Sequence, residues 1–488
     1  MSATSSSSQS AGIGDGPTAS PVPASEIDAS CRGPVLLLFL SAVVWLVIAS
    51  VFGMIATLKF HAPNLLADCP WFTYGRVHPA HLDGFIYGFG VQAGLGVALW
   101  LVARLGRTTL AFGPVIMAGT KIWNLGVLLG IAGILCGDST GFQWLEMPRL
   151  ALVMLFTGYA LIALGATLTL HQRRERQLYI SQWFITAALF WFPWIFSTAS
   201  LLLVARPVRG VLQAAIDWWY MNNLATVWFG FIGIAAAFYF IPKATRRPLH
   251  SHYLGIFIFW TLALFGSAGG IPAAAPLPAW MAALSIAAKI LVVVPALGIA
   301  INVCKTMGGD YSQLGQSRPF KFILFGILAF VVAELAAAVA SLMRFSLVTE
   351  FSWFVPALSG WFLYGFFAMT VFGAMYYIVP LLLQIEFPKP GLICAQFVLS
   401  GFGILFYAVP LAIGGIKQGM MLNDPKIGFP EVMASSVLWL RISTMGELLM
   451  VLGNLLLLLH LAAMLFSVAR SCALAAWAAN TKTAEVTP

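Results

Sequence analysis

Residues Gly75 to Gly90 read GRVHPAHLDGFIYGFG. The opening half carries His78 and His81, three positions apart, with Asp83 just behind them. From Gly84 to Ala103 there is no charged residue. An apolar run of about 18 residues or more crosses the hydrocarbon core of a bilayer as a helix. The stretch therefore predicts a membrane helix entered through a histidine-bearing turn. Residues three apart lie on nearly the same helical face, so both imidazoles belong to one side of it.

Runs of the same kind recur near 34–59, 80–104, 111–136, 149–170, 179–205, 218–242, 252–269, 278–303, 319–345, 354–383, 391–414 and 438–467. Helices are the expected spanning structure, because lipid offers backbone groups no partner and barrel strands are shorter and alternating. The predicted fold is all-α, a polytopic membrane bundle of about twelve transmembrane helices over residues 33–470. A disordered polar tail is expected over 1–32, with a composition unlike a signal peptide, and a second tail over 471–488. Charged residues are 9% of the 488, against roughly 25% in a soluble domain. Mean hydropathy is +0.91.

Loop charge sets the expected orientation. Arg104, Arg107, Arg173, Arg174, Arg176, Lys243, Arg246, Arg247, Lys305, Arg318, Lys321 and Lys389 follow the even-numbered helices, and the opposite loops are poorer in Lys and Arg. The positive-inside bias then puts both termini in the cytoplasm. The net charge of +9 reflects topology in the lipid bilayer, and no basic run points to nucleic acid. The six cysteines show no CxxC spacing, so a zinc or iron–sulfur site is not expected. Cys69 and Cys136 both fall near the outer face, where a bridge depends on their proximity.

The Gly75–Gly90 stretch resembles the second helix of subunit I of cbb3-type cytochrome c oxidases, in the heme-copper oxidase superfamily. Other matches follow in order: GDSTGFQWLEMP at 137–148, with Glu146 at the family's glutamate; RQLYISQWF at 176–184; Asp217 to Tyr220; Tyr239 to Lys243; Phe372 to Pro380; and Gly415 to Met421. The resemblance covers roughly residues 35–467. It implies a twelve-helix respiratory subunit of a bacterial inner membrane, with membrane-anchored c-type cytochrome subunits as partners. It also implies a low-spin heme b on the histidine at position 81, a high-spin heme, a copper ion held by three imidazoles and a redox tyrosine.

Most of those donors are replaced. Asn222 stands where the family has a copper-ligating histidine. Residues 254–280 contain no histidine or tyrosine, where the family has a His-His pair and the redox tyrosine. The family's His-x-His-Ser-Gly becomes Pro356-Ala357-Leu358-Ser359-Gly360, which leaves Leu358 as the partner position opposite His81. Iron and copper need nitrogen donors that amide, proline and leucine do not supply. Copper is therefore not expected, and the expected cofactor is at most one heme b, on His81, with Met343 or Met369 as conceivable opposite ligands. His78 takes the place of a family arginine that pairs with heme propionates.

Lys121, Lys289, Glu334 and Glu447 lie inside apolar runs. Charges there are costly and either pair, snorkel to the interface or serve function. His460 is expected to pack against a neighbour. Three functions compete: a degenerate, non-catalytic respiratory-complex subunit; a working cytochrome c oxidase subunit I; and a proton or ion translocator without redox cofactors. The ligand losses favour the first.

Overall fold

The computed structural model describes residues 22–309 and 317–484. Eleven helices are long and apolar enough to cross a membrane. They are α1 (Ala24–Leu58), α2 (Tyr74–Gly106), α3 (Gly113–Cys136), α4 (Arg149–His171), α5 (Ile180–Ala205), α6 (Leu212–Thr245), α8 (Ala279–Met307), α9 (Arg318–Ser341), α10 (Phe354–Leu383), α11 (Pro390–Leu422) and α12 (Phe429–Ala484). A further apolar helix, α7 (His252–Ala268), has 17 residues. Together they coincide with the twelve apolar runs of the sequence. Among the described residues there is no strand.

Two boundaries differ from expectation. The N-terminal tail was expected to reach residue 32, yet α1 begins at Ala24; residues 1–21 lie outside the described residues. The early start has a cause. Trp100 Nε1 donates to Asp28 Oδ1 at 3.0 Å, Arg104 lies 3.4 Å from Asp28 Oδ2 and also donates to the Ala24 carbonyl, and Ile27 and Cys31 are buried. At the other end, α12 runs past 471 to Ala484. Residues 454–484 hold neither glycine nor proline and are rich in Ala and Leu, so nothing local ends the helix. Cys69 and Cys136 are both free.

α2, α6 and α10 form the centre, almost wholly enclosed by the others. Each contains a π-helical stretch, at Gly84–Val91, Asn223–Phe229 and Trp361–Ala368. Such turns gather at functional sites. Aromatic rings fill the space between these helices: Phe229 meets Phe367 at 4.5 Å and Phe89 meets Phe372 at 5.7 Å. Lipid is as apolar as leucine, so packing and small-residue contacts hold membrane helices together. The crossing of α3 and α4 shows this: a side chain on Gly119 would strike the Gly158 carbonyl at 2.8 Å.

Candidate functional sites on the two faces of α10

The central helices leave two cavities. The first, of about 300 Å³, lies between α1 and α2 on one side and α10, α11 and α12 on the other. His81 lines it. Its Nδ1 is 2.8 Å from the Ala49 carbonyl on α1. A carbonyl only accepts, so Nδ1 carries the proton and the Nε2 lone pair is left with no protein partner among the described residues. That is the tautomer and anchoring a metal-binding histidine uses.

Gly53 allows this arrangement. A Cβ there would lie 2.7 Å from His81 Nδ1 and 2.5 Å from Glu447 Oε1. Only a glycine lets α1 pass so close to the ring, and the same contact places the Glu447 carboxylate near the Nδ1 edge of His81. Deeper in the cavity Tyr364 donates to Asn454 Oδ1 at 2.8 Å, and Asn454 donates to Ser50 at 2.8 Å. His78 also lines the cavity, its ring stacked on Tyr74 at 5.1 Å. No Lys or Arg lines it.

The wall facing helix α2 is Pro356, Ser359, Gly360 and Leu363 of α10. Leu358, the partner position expected from sequence, instead lines the second cavity. Positions 356 and 358 point to opposite sides of a helix. Met343 is exposed, and Met369 is buried but lines neither cavity; the methionine that does line the first is Met450, one turn beyond Glu447 on α12.

The second cavity, of about 250 Å³, has Asn222, Gly270, Lys289, Glu334, Leu358 and Phe362 in its walls. None of its lining residues is a histidine, cysteine or tyrosine. Lys289 and Glu334 face each other electrostatically without touching; the ion pairs among the described residues are Arg104–Asp28 and Arg107–Glu175. Asn222 donates to the Gly266 carbonyl at 2.7 Å, while its Oδ1 is buried without a partner. The Gly269–Ala275 loop is held from outside: Ala273 N donates to the Glu350 carboxylate at 2.8 Å.

The four intramembrane charges thus separate. Glu447 belongs to the first cavity, and Lys289 and Glu334 to the second. Lys121 is exposed on the surface of α3 and joins neither. His460 packs as expected, its Nε2 3.0 Å from the Lys389 carbonyl.

A further cluster was not visible as such in the sequence. Asp83 is fully buried beside Glu146, and Asp217 adjoins them. The two carboxyls meet each other, so a proton held on one is donated to the other, and backbone N–H groups of Glu146 and Met147 face Asp83. Tyr87 and Tyr220 share a hydroxyl contact of 2.6 Å next to it, and Tyr87 also donates to the Trp144 carbonyl. Burial pushes the Glu146 carboxyl up to about 7.

One solved structure, a heme-copper terminal oxidase dimer, shares this fold with a TM-score of 0.65 at 14% identity, over 88% of this chain and 84% of that one. The family described as Cytochrome C and Quinol oxidase polypeptide I matches residues 33–449, and the chain belongs to it. Among curated relatives, the cbb3-type cytochrome c oxidase subunit CcoN1 of Stutzerimonas stutzeri is 25% identical, over 78% of this chain and 82% of the relative. A cytochrome c oxidase subunit 1 homolog of Azorhizobium caulinodans is 26% identical, over 80% and 72%. Cytochrome c oxidase subunit 1 of Rhodobacter capsulatus is 24% identical, over 83% and 79%. The chain is a multi-pass membrane protein, a cbb3-like subunit I of the heme-copper oxidase superfamily.

Proposed function

We propose that this chain is a non-catalytic subunit of a respiratory complex, which keeps the seat of one heme b at His81 and has given up the oxygen-reducing metal pair. The second cavity carries this reading. Its walls carry the amides of Gln143 and Asn222, the hydroxyls of Thr226 and Ser359, the Met221 thioether, the Lys289 ammonium and the Glu334 carboxylate, with no imidazole, and the described residues hold no group of three or more His, Cys, Asp or Glu able to grip a metal ion. A copper ion of this family takes three imidazoles, and a lysine ammonium in its place repels a cation, so the residues present do not fit copper. The first cavity fits a heme better: His81 offers a lone pair on an anchored ring to an enclosed space walled mainly by apolar and aromatic groups. A bound heme would supply redox chemistry there, and His81 would hold its iron.

In this reading membrane-anchored c-type cytochrome subunits are the partners. The setting is a bacterial inner membrane with both termini cytoplasmic. The test is oxygen uptake by the purified full chain with excess reductant and mediator. The expected rate equals that of a heat-denatured control; sustained, cyanide-sensitive uptake would overturn the proposal.

One observation favours a second reading, proton or ion movement without redox chemistry. Lys289, Glu334 and the unpaired Asn222 oxygen line a space that can hold water. Vesicles carrying the chain would then take up protons in response to an imposed potential, and would lose that uptake in Glu334→Gln.

A further inference from the structure

Helix α7 is the shortest of the twelve, with 17 residues beside 29 in α8 and 34 in α6. At 1.5 Å per residue it is about 26 Å long, short of the roughly 30 Å of a bilayer's hydrocarbon core. A span that is too short thins the bilayer around it and so draws headgroups toward its ends. One face of α7 is open to lipid. Tyr253 is 86% exposed, and Phe257, Trp260 and Leu264 are exposed as well. Their spacing of four, three and four residues sets them in one stripe. The other face is packed: Gly255 lies against Ile180 of α5, and Ile258 against Gly298 of α8.

The end of α7 at His252 is basic. From Trp218 to Gly309 no residue is Asp or Glu. Lys243 closes α6 with Arg246 and Arg247 just beyond it, and Lys305 lies in the last turn of α8. Backbone contacts draw these segments into one corner. His250 N donates to Thr306 Oγ1 at 3.0 Å, Ser251 N to Asn302 Oδ1 at 3.1 Å, and Arg247 Nη1 to the Met307 carbonyl at 2.9 Å. All four cations are exposed, and none of them forms an ion pair among the described residues. The positive-inside bias puts cations on one side of a membrane. Here they also gather at the end of a span too short for it.

We propose that this corner and the open face of α7 bind an anionic phospholipid. Arg246 and Lys305 hold its phosphate, and an acyl chain lies along Tyr253, Phe257, Trp260 and Leu264. Basic pockets between spans take such headgroups. Charge complementarity selects the anion, because a choline headgroup brings its own cation to a corner of cations without a carboxylate partner. The site stands whether or not His81 holds a heme.

The test is native mass spectrometry of the full chain in detergent, titrated with phosphatidylglycerol or with phosphatidylcholine of the same acyl chains. The first phosphatidylglycerol is expected to bind at least about tenfold more tightly than the first phosphatidylcholine. Arg246→Gln with Lys305→Gln should bring the two lipids within about twofold of each other. Lys389→Gln with Arg470→Gln, which removes as much charge at α11 and α12, should leave the preference intact. Trp260→Ala should weaken both lipids alike. Glycerol phosphate at the same concentration should displace neither. Arg246 sits in the left-handed region at φ 55°; if its replacement unfolds the chain, Lys243→Gln with Lys305→Gln carries the same expectation. Equal affinity for the two lipids would overturn the proposal. So would a preference that survives loss of the corner cations, or one lost equally in the α11 and α12 pair. Displacement by glycerol phosphate would make the ligand a soluble phosphate and overturn the lipid.

Discussion

Two cavities flank helix α10 and share Gln143, Trp144, Val355 and Ser359 in their walls, yet their chemistry differs. On the face of Pro356, Gly360 and Leu363, the cavity carries the imidazole of His81, braced by the Ala49 carbonyl, and that of His78. On the face of Leu358 and Phe362, no lining residue is a histidine, and Lys289, Glu334 and the unpartnered Asn222 Oδ1 line the wall. The first cavity remains a place for a large apolar ligand with one point of attachment. The second has become a polar chamber. The comparison teaches that two cavities beside one helix take their chemistry from which side chains line each of them.

The sharpest way to break this contrast is His81→Ala. The altered chain should hold heme more than about 100-fold more weakly, since loss of a ligand costs more than loss of its outer supports. Pyridine hemochrome assay of the loaded chain measures it, and full retention of heme would place the attachment elsewhere. For the second cavity, Lys289→Met leaves Glu334 facing a chamber without its counter-charge. The expected loss is about 3 kcal/mol, the low end for breaking a buried pair, because the two groups face each other across space. Thermal melting in detergent checks it, and the double variant Lys289→Met with Glu334→Gln should recover most of the loss. An unchanged single variant would mean that Lys289 reaches the interface.

A smaller effect concerns the carboxylates beside α2. Glu146 is held up to about 7 by burial against an ordinary value of 4.5, and Asp83 lies next to it. In that window the unfolded chain has released the proton that the folded chain still holds. From Glu146, stability therefore falls as pH rises from 4.5 to about 7, by at most about 1.4 kcal/mol per pH unit, and this contribution levels off above. Melting temperature followed against pH should show the slope, and Glu146→Gln should reduce it by that amount. The smallest effect belongs to Lys121. Being exposed on α3, its replacement by Met should change stability by less than about 0.5 kcal/mol; a larger change in melting would give it a partner.

The spans were legible because an apolar run of helical length has one reading in a membrane. Their ends were less so. Asp28 looks like part of a polar tail until Trp100 and Arg104, over 70 positions away, are seen to bind it. Facing was the hardest feature to read. In a soluble helix a polar stripe marks the outside, but a helix that is apolar all round carries no such mark. Hence Leu358 could be placed on α10 by motif and set opposite His81, yet it lines the second cavity while Pro356 lines the first. For the same reason Lys121 looked like Lys289 in sequence although one is on the surface and the other lines a chamber. Gly53 gave no sequence signal; its role exists only because His81 and Glu447 converge on it from α2 and α12.

The most direct test is to measure copper by elemental mass spectrometry and heme by hemochrome on one preparation of the chain purified from its native membrane. With His81 lining the first cavity and no imidazole lining the second, the proposed function predicts copper at background and no more than one heme per chain. Equimolar copper alongside two hemes would contradict the account.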